Sequence, residues 1–249
     1  MLRVLRFHIN DPFYNMAIDE AIAKCIGENL SPPTLRLYGW WPRAVSIGYF
    51  QEIREEVNLE FCKENNIEVV RRITGGGAVI HTEGELTYSF IVKNDGNYVP
   101  FDIEESYKVI CTPIINALKR IGVNARFRPI NDIEVEGRKI SGSAQTRKYG
   151  AILQHGTLLL SFDYSLLSAL KIKYEKLADK QLKDITKRVV SLKDLGHDIS
   201  REEMAEILAE EFKKYFKLEI FYGEINEFER KLAMELINKY KSYEWNYRR

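Results

Sequence analysis

The stretch Arg71–Phe90, "RRITGGGAVIHTEGELTYSF", decides how the chain is read. Two arginines precede three consecutive glycines, a lone histidine follows, and the segment then enters an apolar strand pattern. Each glycine loses more backbone entropy on folding than any other residue, so a run of three needs an offsetting interaction. A plain hairpin turn would need one glycine or an Asn-Gly pair. The standard phosphate loops do not fit. Counting from Gly76, a Walker loop would need Gly and Lys where His81 and Thr82 stand, and a dinucleotide fingerprint fails at Ile80, with no helix following. What remains is a strand-to-strand turn whose bare N–H groups can approach a phosphate or carboxylate, flanked by the permanent charges of Arg71 and Arg72. Strand alternation sends the two arginines to opposite faces, so only one faces the site. His81 taken alone reads as a structural hydrogen-bonding residue.

Working outward, Asn10 or Asp11 with Pro12 starts a helix over 13–26, taken as the first element. "TLRLYGW" and "AVSIGYF" read as a strand pair across a Trp-Pro break, "NLEFCKENN" as a short helix, and "IEVVRRI" and "ELTYSFIV" as the strands on either side of the glycines. "DIEESYKVICTPIINALKRIGV" is a helix with Ile103, Tyr107, Ile110, Ile114 and Leu118 on one face and Gly122 as its stop. Four short strands follow, "ARFRP", "IEVEG", "RKISGSAQTR" and "ILQHGTLLLSF", with turns at Glu136-Gly137 and Tyr149-Gly150. "YSLLSALKI" and "EKLADKQL" read as helical. "SREEMAEILAEEFKKYF" carries a capping box of Ser200 and Glu203, and "EINEFERKLAMELINKYKSYEWN" is helical. With no repeat or linker, residues 1–249 form a single α+β domain of mixed and antiparallel sheets flanked by helices.

The block "NDIEVEGRKISGSAQTRKYGAILQHGTLLL" places polar residues inside strands that look buried. Asn131 and Asp132 precede a strand, Lys139 adjoins Ile140, and Ser141, Gly142, Ser143 and Ala144 are too small to fill a core unless a ligand packs on them. A lysine among small residues can neutralise two anions at once, or it can simply extend from its strand to solvent. His155 opens an apolar strand, with Gly156 allowing close approach and Thr157 beside it. Gly-x-Ser-x-Gly is absent, so Ser141 and Ser143 are poor hydrolase nucleophiles, and the residues suit catalysis by positioning and electrostatics.

Bulk properties set the outer limits. A chain of 249 residues with 45% hydrophobic and 29% charged residues builds a real core, and its formal net charge of +1 rules out bulk attraction to nucleic acid or membranes. The N-terminus lacks the apolar core of a signal peptide, and no window of about 18 uncharged apolar residues occurs, so a cytoplasmic protein is expected. Cys25, Cys62 and Cys111, odd in number and widely spaced, read as reduced core thiols rather than disulfides or zinc ligands.

Four motifs in order, "RRITGGGAVIHTEGELTYSF", "NDIEVEGRKISGSAQ", "LQHGTLLL" and the closing "EWN", together resemble the lipoate-protein ligase family, related to the biotin ligases. The resemblance implies an α+β catalytic domain of that kind and an ATP-dependent ligase. Lipoate and MgATP would give lipoyl-AMP, and a lysine of an acceptor domain (an E2 subunit of a 2-oxoacid dehydrogenase, or the glycine cleavage H protein) would then take the acyl group. It implies no prosthetic group. Carried over residue by residue, Arg72 and the loop Gly75, Gly76, Gly77, Ala78, Val79, Ile80 and His81 form one wall of the acyl-adenylate pocket. Lys139 is the catalytic lysine contacting carboxyl and α-phosphate, and Ser143 and Ala144 lie on its strand. Asn131 and Asp132 lie near the nucleotide, with Asp132 a Mg2+ ligand. His155, Gly156 and Thr157 line the acyl pocket.

Two departures stand out. Thr82 replaces the family's Asp after the histidine, and the accessory domain that follows in many members is absent from 1–249, which points to a separate accessory polypeptide. The nearest rival is an octanoyl or lipoyl transferase working through a cysteine thioester without ATP, although no cysteine lies between Asn124 and Arg249. A nucleic-acid module using Arg71, Arg72, Arg126, Arg128, Arg138, Lys139, Arg147 and Lys148 is the distant alternative.

Overall fold

The computed structural model describes residues 1–171 and 187–249. Its strands are β1 (Leu2–Asn10), β2 (Thr34–Trp40), β3 (Ala44–Ile47), β4 (Glu68–Arg71), β5 (Val79–His81), β6 (Glu85–Lys93), β7 (Arg126–Arg128), β8 (Asp132–Val135), β9 (Arg138–Lys148), β10 (Ala151–Leu159) and β11 (Ile220–Gly223). Eight form one sheet in the order β11-β1-β2-β6-β10-β9-β8-β7, and a small second sheet runs β4-β3-β5.

Period-two patterning explains how the large sheet is covered. In β6, Leu86, Tyr88, Phe90 and Val92 enter one core with Ile110, Ile114 and Leu118 of helix Ile103–Arg120 and Leu208 and Phe212 of helix Arg201–Phe216. The next face along packs Tyr38, Trp40, Ile91 and Leu153 on helix Pro12–Gly27, with Ala233, Leu236 and Tyr240 of helix Glu227–Lys241 behind. A fully buried ring such as Phe212, cut to alanine, costs about 3–5 kcal/mol. The second face stays apolar only at one end. Toward the other end it carries Glu85, Thr87, His155 and Thr157, and there the small sheet closes over it.

The α+β class with helices flanking mixed sheets is as the sequence implied, and so are the main helices. Both hairpin turns in the second block hold, with Glu136, Gly137, Tyr149 and Gly150 all at positive φ.

Several local expectations change. The first element is β1, not a helix, and β1 pairs in parallel with both β2 and β11. β2 and β3 are not a pair, because after Trp41-Pro42 the chain leaves the large sheet and β3 founds the small one. The glycine loop joins β4 to β5, which are not neighbours: both flank β3, β4 in parallel and β5 antiparallel. "YSLLSALKI" holds a single 3-10 segment, Tyr164–Ala169, started by Asp163 and followed by an extended Leu170. Ser200 accepts from Glu203 N, but the full capping box is at Asn226 and Glu229. "EKLADKQL" lies outside the described residues.

Candidate active site

Between the polar end of the large sheet and the small sheet lies a cavity of about 270 Å³. Its walls include Arg72, Gly76, Gly77, Ala78, Val79, Ile80 and His81 from the glycine loop and β5. Facing them are Asn131, Lys139, Ser143 and Ala144 around β9, and His155, Gly156 and Thr157 on β10. The three motifs, up to 86 residues apart in sequence, therefore converge on one pocket. Gly75 and Asp132 from the expected set do not line it.

The loop is shaped by Arg72 from inside. All its donors are used: Nε to Thr74 Oγ1 (3.1 Å), Nη1 to Ser46 O (3.0 Å) and Ser46 Oγ (3.1 Å), and Nη2 to Gly75 O (2.8 Å) and Gly77 O (2.7 Å). Burial pulls its pKa down to about 10. The carbonyls must turn inward to meet it, and Gly76 makes that turn at φ 87°. A Cβ on Gly76 would also lie 3.0 Å from Arg72 Nη2, whereas one on Gly75 or Gly77 would meet nothing within 4 Å. Of the three glycines, Gly76 is the one that this geometry requires. Gly48, on the turn after β3, is needed for the same reason, since a Cβ there would lie 2.0 Å from Gly76 O.

Two buried histidines stand behind the loop, each held at both nitrogens. His81 has Nδ1 2.6 Å from Glu85 Oε1 and Nε2 2.7 Å from Ser46 Oγ, and it stacks on Trp40 at 3.8 Å. His155 has Nδ1 3.1 Å from Asp19 Oδ2 and Nε2 2.7 Å from Thr74 Oγ1. Burial holds the His155 pKa below its ordinary value against the pull of Asp19. For Asp19 the order reverses: burial works to raise its pKa, but Arg36 at 2.8 Å and the His155 and Ser89 hydrogen bonds together outweigh it, leaving the carboxyl lowered. With both nitrogens engaged, these rings are fixed in the pocket lining.

Lys139 is placed by its neighbours. Its N–H donates to Arg188 O (2.7 Å), and its carbonyl accepts from Val190 N (2.9 Å). The side chain folds across Gly142, where a Cβ would lie 2.5 Å from Nζ. Nζ is 2.7 Å from Asp132 Oδ1, and the Lys139 side chain is 41% exposed at the cavity mouth. Asn131 is tied to the strand, its Nδ2 donating to Ser143 O and its carbonyl accepting from Ser143 N (3.0 Å). Asp132 thus serves Lys139. Among the described residues no three His, Cys, Asp or Glu side chains gather as a cation cage. By themselves these residues do not supply a protein-only shell for Mg2+.

The three thiols are buried. Cys111 Sγ lies 3.8 Å from Ser143 Oγ and 3.7 Å from Gln154 Nε2, behind the pocket wall, and burial pushes its pKa up to about 11. Thr82 caps its own turn, accepting from Gly84 N at 3.0 Å. The basic face of the nucleic-acid reading does not assemble. Arg71 and Arg72 are buried, Arg126 and Arg128 meet Glu134, Arg138 meets Glu136, and Arg147 donates to the carbonyls of residues 100–102.

Sequence reasoning missed Asp19, Arg36, Ser46 and Glu85. Asp19 had a signal, since it and Glu20 are the two acids inside the otherwise apolar "MAIDEAIA" of the first helix. Ser46 had none.

A pocket roofed by a glycine loop, with a lysine at its mouth, fits an enzyme of the lipoate ligase and transferase class. The chain belongs to the lipoyl protein ligase A/B catalytic domain family, whose model matches residues 11–213. It is 38% identical to octanoyltransferase LipM of Kyrpidia tusciae, over 95% of this chain and 94% of that protein. Among solved structures, a bi-partite lipoate protein ligase from Thermoplasma acidophilum, described with its E2 lipoyl domain, matches with TM-score 0.88 and 33% identity, over 98% of this chain and 95% of that one. A lipoate-protein ligase A bound with ATP matches with TM-score 0.85 and 32% identity, over 98% of each chain. The expectation of an ATP-dependent lipoate ligase is corrected by the octanoyltransferase relative, of higher identity than either ligase structure. No helix among the described residues is long and apolar enough to cross a membrane.

Proposed function

We propose that this enzyme transfers an octanoyl group from an acyl thioester to the side-chain amine of a lysine on a lipoyl-acceptor domain. The observation that carries this reading is the near full-length similarity to an octanoyltransferase. The pocket supports it in two ways. Its lining of Met16, Val79, Ile80, Leu159 and Leu167 suits a medium-length acyl chain. The Lys139 ammonium at the mouth can stabilise the negative charge that develops on the thioester oxygen under attack.

The chain's cysteines do not suit a covalent relay, because the nearest thiol is buried and its pKa is raised. Direct attack by the acceptor lysine fits better. The amine forms the new C–N bond, the C–S bond breaks, and the amine proton leaves with the thiol.

The test is to incubate the enzyme with an octanoyl-pantetheine thioester and an apo lipoyl domain without nucleotide, and to follow the domain by intact mass. An octanoyl increment is expected. Transfer that occurs only with free octanoate or lipoate plus ATP would overturn the reading.

A further inference from the structure

Outside the glycine loop, the turn after β3 and the last residues of the chain form one surface. Arg71 ties them together. Its guanidinium donates to the carbonyls of Gly48, Tyr49, Gln51, Trp245 and Asn246, at 2.6 to 3.2 Å. Trp245 Nε1 returns a bond to Arg71 O (2.7 Å). The surface touches the pocket rim, since Tyr49 N donates to Thr74 O (2.8 Å) and Gly48 packs on Gly75 and Gly76.

On this base, cations lie over aromatic rings. Lys148 Nζ is 4.3 Å from the Tyr49 ring centroid, the Arg248 guanidinium is 4.3 Å from the same ring, and Arg249 is 5.6 Å from Phe50, which is 67% exposed. Lys239 over Trp245 is already met by Glu20 at 2.6 Å. Lys148, Arg248 and Arg249 have no carboxylate partner among the described residues, unlike Arg126 and Arg128 of β7 and Arg138 of β9. Glu52 and Glu244 are the acids of the same region, Glu52 near Arg71 and Glu244 in the last helical turn. In a chain of net charge +1, these three cations are a local concentration and not an overall bias. Holding a cation over a ring restricts it without neutralising it, so its charge remains available to a partner at lower entropic cost.

We propose that this aromatic-backed cationic rim is the docking surface for the acceptor protein and engages an acidic face beside its target lysine. The inference rests on acyl transfer to a protein lysine. An acceptor that delivers its lysine to the mouth must cover the exposed Gly76–Gly77 rim, and the cations border that rim. Charges at such an edge act mainly on encounter and salt dependence.

The test compares wild type with the triple variant K148E/R248E/R249E, using octanoyl-pantetheine as donor. One arm uses an apo lipoyl domain as acceptor, and the other uses hydroxylamine, which needs no docking surface. In the variant, KM for the domain is expected to rise about tenfold or more. Turnover with hydroxylamine should stay unchanged, and the wild-type rise of KM between about 50 and about 300 mM salt should be flattened. An unchanged KM for the domain in the variant would overturn the proposal, as would displacement of the domain from the wild type by an RNA oligonucleotide at equal concentration. If no transfer occurs at all, the functional reading has failed instead. The docking surface is then judged by the anisotropy of a labelled lipoyl domain, where equal affinity of wild type and variant rejects it.

Discussion

Arg71 and Arg72 are adjacent, both buried, and both surrounded chiefly by main-chain carbonyls, yet they organise different regions. Arg71 collects carbonyls from the turn after β3 and from Trp245 and Asn246, fastening the end of the described chain to the small sheet. Arg72 collects those of its own loop, apart from Ser46, and gives the pocket its roof. Arg72 has no donor left for an anion, and Arg71 is fully buried with its guanidinium on five carbonyls, so the pair that looked like an anion grip is a scaffold. Lys139, exposed at the mouth, carries the available positive charge.

The largest expected effect tests the structural half of this contrast. Arg71→Met leaves five carbonyls without their donor and should cost about 3–5 kcal/mol in urea unfolding. Arg72→Met should lose less stability than Arg71→Met but lose transfer activity, because its bonds are mostly local. If the two variants lose equal stability and equal activity, the contrast is wrong. Lys139→Ala should slow octanoyl transfer by about 10² to 10³-fold with the unfolding midpoint unchanged. A smaller loss would move the charge stabilisation elsewhere.

Gly76→Ala should cost about 1–2 kcal/mol through its positive φ, while Gly75→Ala and Gly77→Ala stay within about 0.5 kcal/mol in the same unfolding measurement. Acid should destabilise the fold. The His155 pKa is lowered by burial, so below its ordinary 6.5 the unfolded chain takes up a proton that the folded chain does not. Stability present above that pH is lost as pH falls, by at most about 1.4 kcal/mol per unit for one proton. The lowered Asp19 carboxyl adds a loss of the same sign at lower pH, below its ordinary 3.8. The melting temperature should fall between pH 7 and 5, less steeply in His155→Gln. Smallest of all, Cys111→Ser should leave transfer per folded molecule within about twofold; abolished transfer would restore a thioester relay.

Much of this was legible before the fold was known. The 3.6-residue spacing of Ile103–Leu118 and the period of two in "ELTYSFIV" gave the helix and strand, because burying one face requires those periods. The motifs around Gly76, Lys139 and His155 were visible as small or polar residues where a core should be bulky. The strand partners were not: β2 and β3 each read correctly as strands, but nothing local says that they belong to different sheets. β1 was hidden because its residues do not alternate cleanly: Leu2 to Leu5 are all buried, and the register shifts between Leu5 and His8.

The sequence by itself determined most of the elements, the family and most of the residues that gather at the pocket, since patterning and motif chemistry are local properties. Only the tertiary structure decided what those residues do. Hydrogen-bond partners come from distant segments, and they turned Arg71 into a fastening, Arg72 into a loop core, Asp132 into a companion of Lys139, and Asp19 into the support of His155. A donor's availability depends on what surrounds it, and that is settled only when the sheets close.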